Sequence, residues 1–262
     1  MKYLITGHTG FIGKNLLKHI SEDVVVKIES DWMEIGDWRY DLELVIQDVD
    51  VIFHIGAISD TTLQDPTEML RYNYVFSKEL FDLAQKYKKK VIYSSSAACY
   101  GEGDGIPNNI YGWSKLMAEQ YGMAKCDEFV ALRYFNVYGP GENHKGKMSS
   151  VALQSWNGEI NKLFPKKPKR NFVYIDDVIS ANIHAVNSPK GVYEVGSGEA
   201  RTFEDVMDNM GIKYSYHSED KIPEWYQFYT KSDESKWLPE WKPKYNLEKG
   251  IKKYKDYLEI PK

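Results

Sequence analysis

The sequence predicts an α/β fold: a doubly wound parallel sheet with helices on both faces, followed by a smaller, discontinuous lobe. Three observations predict it. A glycine-rich turn stands between a β-rich run and an amphipathic stretch near the amino terminus. Strand and helix patterns then alternate as far as Tyr134. After Gly139-Pro140-Gly141 the alternation gives way to loops, short helices and a basic segment. The division expected is residues 1–140, with a return near 176–198, for the sheet domain, and residues 141–175 with 199–262 for the lobe.

Lys2 to Thr6 reads as the first strand, Gly7-His8-Thr9-Gly10-Phe11-Ile12-Gly13 as the turn after it, and the stretch to Ile20 as a helix. This is the first βα turn of a dinucleotide-binding (Rossmann) fold. The first glycine permits the tight turn, the second lets backbone N–H groups approach a pyrophosphate, and the third allows close helix–strand packing. Val24 to Ile28 is a second strand ending in Glu29, placed where a carboxylate accepts the ribose hydroxyls of an adenosine. That carboxylate would repel a 2′-phosphate, and no Arg or Lys follows until Arg39, so the reading is NAD or NADP with NAD favoured.

A short third strand is expected around Met33 to Ile35, and another strand at Val51 to Ile55. Residues 66–87 read as one long helix with Pro66 in its first turn, and Lys90 to Ser94 as a buried strand. A helix from Tyr111 to Ala124 and a strand from Glu128 to Tyr134 complete the alternation. Farther on, Asp176 to Val186 reads as a helix and Val192 to Val195 as a strand that returns to the sheet. Leu247, Ile251, Tyr254 and Leu258 recur at helical spacing and mark a final amphipathic helix.

Composition narrows the function classes. The chain is 42% hydrophobic and 27% charged, with 20 Tyr and 7 Trp, enough apolar surface for a folded core. Thirty-four Lys and Arg against 38 Asp and Glu give a net charge of −4, which argues against nucleic acid as a partner. The start, MKYLITG, has no basic region followed by an apolar stretch, and no long apolar run occurs, so a soluble cytoplasmic protein without a membrane partner is expected. Cys99 and Cys126 are too few for a disulfide framework. His8, His19, His54, His184 and His217 lack metal-ligand spacing and read as packing or surface residues; no metal is expected.

The chemistry centres on Tyr111-Gly112-Trp113-Ser114-Lys115, where Tyr111 and Lys115 at i and i+4 project from one helix face. A tyrosine of pKa about 10 becomes a base near pH 7 only if that value drops by roughly three units, about 4 kcal/mol. Lys115 and an oxidised nicotinamide would both stabilise the phenolate. Ser94-Ser95-Ser96 lies at the carboxyl edge of a strand, where open α/β sheets bind ligands, and Ser96 is placed beside Tyr111.

With these residues the chain resembles the extended short-chain dehydrogenase/reductases, the sugar-nucleotide epimerases and dehydratases. The resemblance rests on the glycine turn, Phe53-His54-Ile55-Gly56-Ala57, Asn73, Ser96, Tyr111 with Lys115, and Arg133-Tyr134-Phe135-Asn136-Val137-Tyr138-Gly139-Pro140. Within it, Ser59-Asp60-Thr61-Thr62, Phe76-Ser77-Lys78-Glu79-Leu80, His144-Lys145-Gly146-Lys147-Met148-Ser149-Ser150-Val151, Arg170-Asn171-Phe172-Val173-Tyr174 and Trp225-Tyr226-Gln227 are similar to the ADP-L-glycero-D-manno-heptose 6-epimerase branch.

The resemblance implies catalytic roles for Ser96, Tyr111 and Lys115, with Lys145 as a second acid/base. It implies tightly bound cofactor against Gly7, Gly10, Phe11, Ile12, Gly13, Glu29, Ile55, Gly56, Ala57, Asn73, Tyr111, Lys115 and Val137. It implies a nucleotide sugar against Ser96, Asn136, Lys147, Gln154, Phe164, Arg170 and Tyr226, and a homo-oligomer. Arg170 stands out in its basic run because a guanidinium fork suits a diphosphate.

The chain also departs from the branch. The segment between Ser96 and Tyr111 is short, Gln154 stands where a histidine would contact substrate, and Lys147 replaces a serine. Three other readings stay open: a dehydratase, which would need an acid and a carboxylate where Ala97 and Ala98 stand; a sugar-nucleotide reductase; and a cofactor-binding sensor without catalysis.

Overall fold

The structure, a computed structural model, describes residues 1–21, 25–28, 33–34, 36–63, 65–103, 105–222 and 226–260 of the chain. Glu29 and Trp225, singled out in the sequence, lie outside the described residues, as do Val24 and Ile35. The chain divides into two compact units, Met1–Arg133 with Ile179–Tyr193, and Tyr134–Val178 with Glu194–Lys262.

In chain order the first part runs β1 (Tyr3–Thr6), α1 (Phe11–Leu17), β2 (Val25–Ile28), α2 (Trp38–Gln47), β3 (Val51–His54), α3 (Pro66–Leu70), α4 (Phe76–Lys86), β4 (Lys90–Ser96), α5 (Ile110–Lys125) and β5 (Phe129–Tyr134). There follow β6 (Asn136–Tyr138), α6 (Val151–Trp156), β7 (Lys162–Leu163), β8 (Lys169–Arg170), β9 (Phe172–Tyr174), α7 (Ile175–Ala185), β10 (Gly191–Val195), β11 (Arg201–Thr202), α8 (Phe203–Met210), β12 (Ser215–Tyr216) and α9 (Leu247–Leu258).

The central sheet has six strands in the order β10-β5-β4-β3-β1-β2. β1 pairs in parallel with β2 and β3, and β3 in parallel with β4. All four residues of β3 are buried, as expected for a parallel strand covered by helices on both faces. Leu4, Ile28, Ile52 and Val91 from the strands join Leu42 and Ile46 of α2 and Leu80, Phe81 and Ala84 of α4 in one core. Each buried Leu, Ile or Phe stabilises by about 1.5–3 kcal/mol, so this layer fixes the strand order that positions the site.

Helix starts follow local chemistry. Asp37 accepts from the Tyr40 amide at the head of α2, Asp65 from the Thr67 amide ahead of Pro66, and Asn109 from the Gly112 amide at 2.8 Å ahead of Tyr111. Two expectations are corrected. Met33 and Glu34 form a helical turn, not a strand, and the third strand is Val51–His54. From that turn Met33 buries its side chain in the core with Trp38 and Leu42, so its apolar character serves this contact and not a strand face. The long helix of residues 66–87 is interrupted by a π-helical turn, Arg71–Val75, that inserts Asn73 between α3 and α4.

In the second unit, Tyr138, Tyr174 and Tyr254 pack ring to ring, and α9 buries Leu247, Ile251 and Tyr254. A Cβ on Gly250 would meet the Tyr138 hydroxyl at 2.0 Å, so only glycine lets α9 approach so closely. Asp177 accepts the Lys244 and Tyr245 amides at 2.8 and 3.0 Å, tying the segment before α9 to α7. Among the described residues, no helix is long and apolar enough to cross a membrane.

Candidate active site

The turn after β1 is as close-packed as glycine permits. A Cβ on Gly7, whose φ is +69°, would meet Gly56 Cα at 2.5 Å, and one on Gly13 would meet Gly7 O at 2.1 Å. Internal packing therefore accounts for Gly7, Gly13 and the proximity of Gly56. It accounts less for Gly10, where a Cβ would meet only Gly7 O, at 3.2 Å. Gly10 is also the N-cap of α1 and provides no side-chain acceptor to its first turn, which includes Phe11 and Ile12. A diphosphate approaching that turn needs this arrangement, so the residues present fit a dinucleotide.

β4 ends at Ser96, whose Oγ accepts the Ala98 amide at 3.1 Å and whose hydroxyl lies beside the Tyr111 phenol. Burial pushes the Tyr111 phenol up to about 12, against the opposing effect of Ser96. One helical turn on, Lys115 is 3% exposed; its Nζ donates to the Ser94 carbonyl at 2.6 Å and lies 4.9 Å from the centre of the Tyr93 ring. Desolvation lowers its ammonium to about 8, so it still carries its charge at pH 7. Ser96, Tyr111 and Lys115 thus come together at the carboxyl end of β4. Asn73 lies on the π-turn, where its Nδ2 donates to Ile58 O and Ser114 Oγ and its Oδ1 accepts the Ile58 amide. It holds the segment after Ala57 to α5.

Two polar groups escaped the sequence reading. Glu119, fully buried, accepts from Ser95 Oγ at 2.6 Å and from Arg133 Nε and a terminal nitrogen at 2.9 and 2.5 Å, while Arg133 stacks 4.4 Å from the Tyr100 ring centre. Its signal was present: Tyr111, Lys115 and Glu119 fall at i, i+4 and i+8 on one helix face. The second is the buried set Thr6, His54 and Ser77. Desolvation, with Lys115 adding, depresses the His54 imidazole to about 3.

In the second unit, Glu142 organises the loop that carries Lys145. Its buried carboxylate accepts the Gly139 amide at 3.2 Å, the Ser150 amide at 2.5 Å and the Ser150 hydroxyl at 2.7 Å. Burial lowers the Lys145 ammonium, opposed by Glu142, and Gly146 turns the chain at φ +51°. Gln154 Nε2 donates to Ser149 O at 2.6 Å and to Lys147 O at 3.3 Å, bracing this loop; Lys147 itself is exposed.

Phe164 and Tyr226 meet edge to face at 5.0 Å and, with Phe203, Leu163 and His217, line a cavity of about 350 Å³. The buried Arg170 guanidinium lies 5.2 Å from the Tyr226 ring centre. Three of the predicted substrate residues are therefore neighbours. Asn136 and Val137 lie on β6, paired with β9, with the Asn136 amide donating to Asn171 O at 3.0 Å, one residue after Arg170.

Residues 3–196 match the NAD dependent epimerase/dehydratase family. Among solved structures the chain is similar to the ADP-L-glycero-D-manno-heptose-6-epimerase of Helicobacter pylori, at 30% identity over 99% of this chain and 96% of that one, with a TM-score of 0.83. It is similar in fold to the UDP-glucose 4-epimerase of Thermotoga maritima, at 24% identity over 98% of each chain and a TM-score of 0.82. The UDP-N-acetylglucosamine 4-epimerase of Methanobrevibacter ruminantium M1 gives 24% identity over 98% of each chain and a TM-score of 0.81.

Proposed function

The chain belongs to the NAD-dependent epimerase/dehydratase family, and we propose that it is a nucleotide-sugar epimerase acting on an ADP-activated glycero-manno-heptose at C6. One observation carries the reading of chemistry: the Tyr111 phenol lies beside Ser96, with the buried Lys115 cation one helical turn away. NAD, held at the glycine turn, would supply the hydride acceptor and donor for the substrate carbon.

The protein's residues supply the proton chemistry. Tyr111 takes the proton of the sugar hydroxyl, and Ser96 orients that hydroxyl by hydrogen bonding. A phenol held near 12 in the protein alone needs added positive charge to ionise near neutrality. Lys115 contributes part of it, being protonated below about pH 8. Reduction on the opposite face needs a second donor, a role assigned to Lys145, whose lowered ammonium pKa suits proton transfer. Net redox change is zero.

The glycine turn with Ile55, Gly56 and Ala57 is the proposed cofactor site, Glu29 selecting NAD over NADP, and Asn73 and Val137 are assigned to the same role. Arg170, Phe164 and Tyr226 are proposed to hold the nucleotide: guanidinium toward diphosphate, rings toward base. Asn136, Lys147 and Gln154 complete the proposed substrate set, Gln154 through the loop it braces. The same reading makes the protein a cytoplasmic homo-oligomer, supported by exposed Trp113 and Met117 on α5.

A substrate panel tests the proposal. Proton NMR of ADP-glycero-manno-heptose, UDP-glucose and UDP-N-acetylglucosamine, each incubated with the protein, should show inversion of the heptose substrate at least about tenfold faster than of the others, a preference of about 1.4 kcal/mol in transition-state binding. Preferential turnover of a UDP-hexose would overturn the sugar assignment and leave the epimerase reading intact.

A further inference from the structure

A chain of buried hydrogen bonds joins the glycine turn to α4. The parallel register sets Thr6 beside His54, and Thr6 Oγ1 lies 2.8 Å from His54 Nδ1. His54 Nε2 lies 2.7 Å from Ser77 Oγ on α4, and Ser77 Oγ donates to the Asn73 carbonyl at 2.6 Å. At the other end, the Gly56 amide donates to Thr6 Oγ1 at 3.0 Å. Thr6, His54 and Ser77 are all essentially excluded from solvent.

The directions of these bonds are determined by counting protons. A carbonyl only accepts, so the single hydroxyl proton of Ser77 goes to Asn73. Ser77 must then accept from His54, which places a proton on Nε2. An imidazolium would also donate from Nδ1 and leave the Thr6 proton buried without an acceptor, at a cost of about 1–3 kcal/mol. The ring is therefore neutral, Nδ1 accepts from Thr6, and the Thr6 lone pairs face the Gly56 amide.

Gly56 is in close contact with Gly7, the first glycine of the turn. We propose that His54 is a positioning residue for the dinucleotide: fixed as the Nε2–H tautomer by Ser77, it orients the Thr6 hydroxyl to hold Ile55-Gly56-Ala57 against the glycine turn. The proposal rests on the cofactor reading above. It assigns a binding role to Ser77, which reaches Gly56 only through His54 and Thr6 among the described hydrogen bonds.

The test pairs spectroscopy on the parent with NAD titration of variants. Nitrogen-15 NMR of histidine-labelled parent should show one imidazole protonated at Nε2 alone, an assignment confirmed by loss of its signals in His54→Gln. Ser77→Ala and Thr6→Val should each weaken NAD binding about tenfold, the equivalent of one hydrogen bond, with parental circular dichroism, while Thr6→Ser stays within about twofold. A purely structural role would lower the melting temperature and leave the dissociation constant of the folded protein unchanged. An Nδ1–H tautomer, or unchanged affinity in folded Ser77→Ala and Thr6→Val, overturns the proposal. If those variants do not fold, NAD titration of the nitrogen-15-labelled parent decides it: a shift of the His54 signals on binding supports the proposal, and unshifted signals overturn it. A parent that binds no dinucleotide at all overturns the cofactor reading itself, which separates the two failures.

Discussion

Lys115 Nζ donates to the main-chain carbonyl of Ser94 at 2.6 Å, two residues before the serine that lies beside Tyr111. One side chain of α5 is thereby fixed to the strand end that carries Ser96. A buried cation held by a single carbonyl, with an aromatic face 4.9 Å away, is poorly compensated for its lost hydration. Under the proposed function, the cost is offset when this cation stabilises a Tyr111 phenolate.

Tyr111→Phe removes only the ionisable oxygen. Turnover should fall at least about a hundredfold, with the melting temperature and NAD affinity close to parental values. Steady-state kinetics beside a thermal melt checks both halves, and near-normal turnover would make Tyr111 a packing residue.

Lys115 has a depressed folded-state pKa, about 8 against an ordinary 10.5, so between these values the unfolded chain holds a proton that the native protein has released. Parent stability should therefore rise as pH increases from about 8 to 10.5, by roughly 3 kcal/mol from this group. Lys115→Met lacks that rise. Urea unfolding at several pH values should show the variant's stability relative to the parent decreasing through the window, and a pH-independent difference would contradict the buried-cation account.

Glu119→Ala leaves the Arg133 guanidinium, 13% exposed, without its bidentate partner and removes the carboxylate that accepts from Ser95. Loss of one member of a buried pair costs about 3–5 kcal/mol. Chemical denaturation should show a drop of this size, whereas replacing both residues, as in Glu119→Leu with Arg133→Met, should recover much of it.

Lys145→Met keeps the aliphatic stem and removes the charge. The variant should bind NAD normally and lose interconversion, with single-turnover cofactor reduction unequal for the two epimers, the one served by Tyr111 retaining more. Stopped-flow absorbance of the reduced nicotinamide reads this directly; parental interconversion would leave Tyr111 serving both faces.

The parts of the site legible in the sequence are those written in contiguous residues. The glycines from Gly7 to Gly13 and the Tyr111–Lys115 spacing are local, and Asn109 with its capping bond marks the start of the same helix. The π-turn around Asn73 was not legible, because the register change leaves the amphipathic pattern of residues 66–87 almost intact. The third strand was misplaced because Met33 is apolar for a core contact and not for a strand. The Thr6–His54 bond depends on residues 48 apart meeting through parallel register, information that no window of sequence holds. Glu119 could have been found, since its spacing from Lys115 repeats that between Tyr111 and Lys115.

The central claim is transient oxidation without net redox change, and the most direct measurement follows one sample by two readouts. Purified protein carrying NAD is mixed with a single epimer of ADP-glycero-manno-heptose, with no cofactor added; NMR follows the sugar and absorbance follows the reduced nicotinamide. The account predicts approach to an equilibrium of both epimers through many turnovers, with reduced cofactor never exceeding the enzyme concentration. Turnover that stops after one equivalent, or that proceeds only while added NADH is consumed, would contradict it.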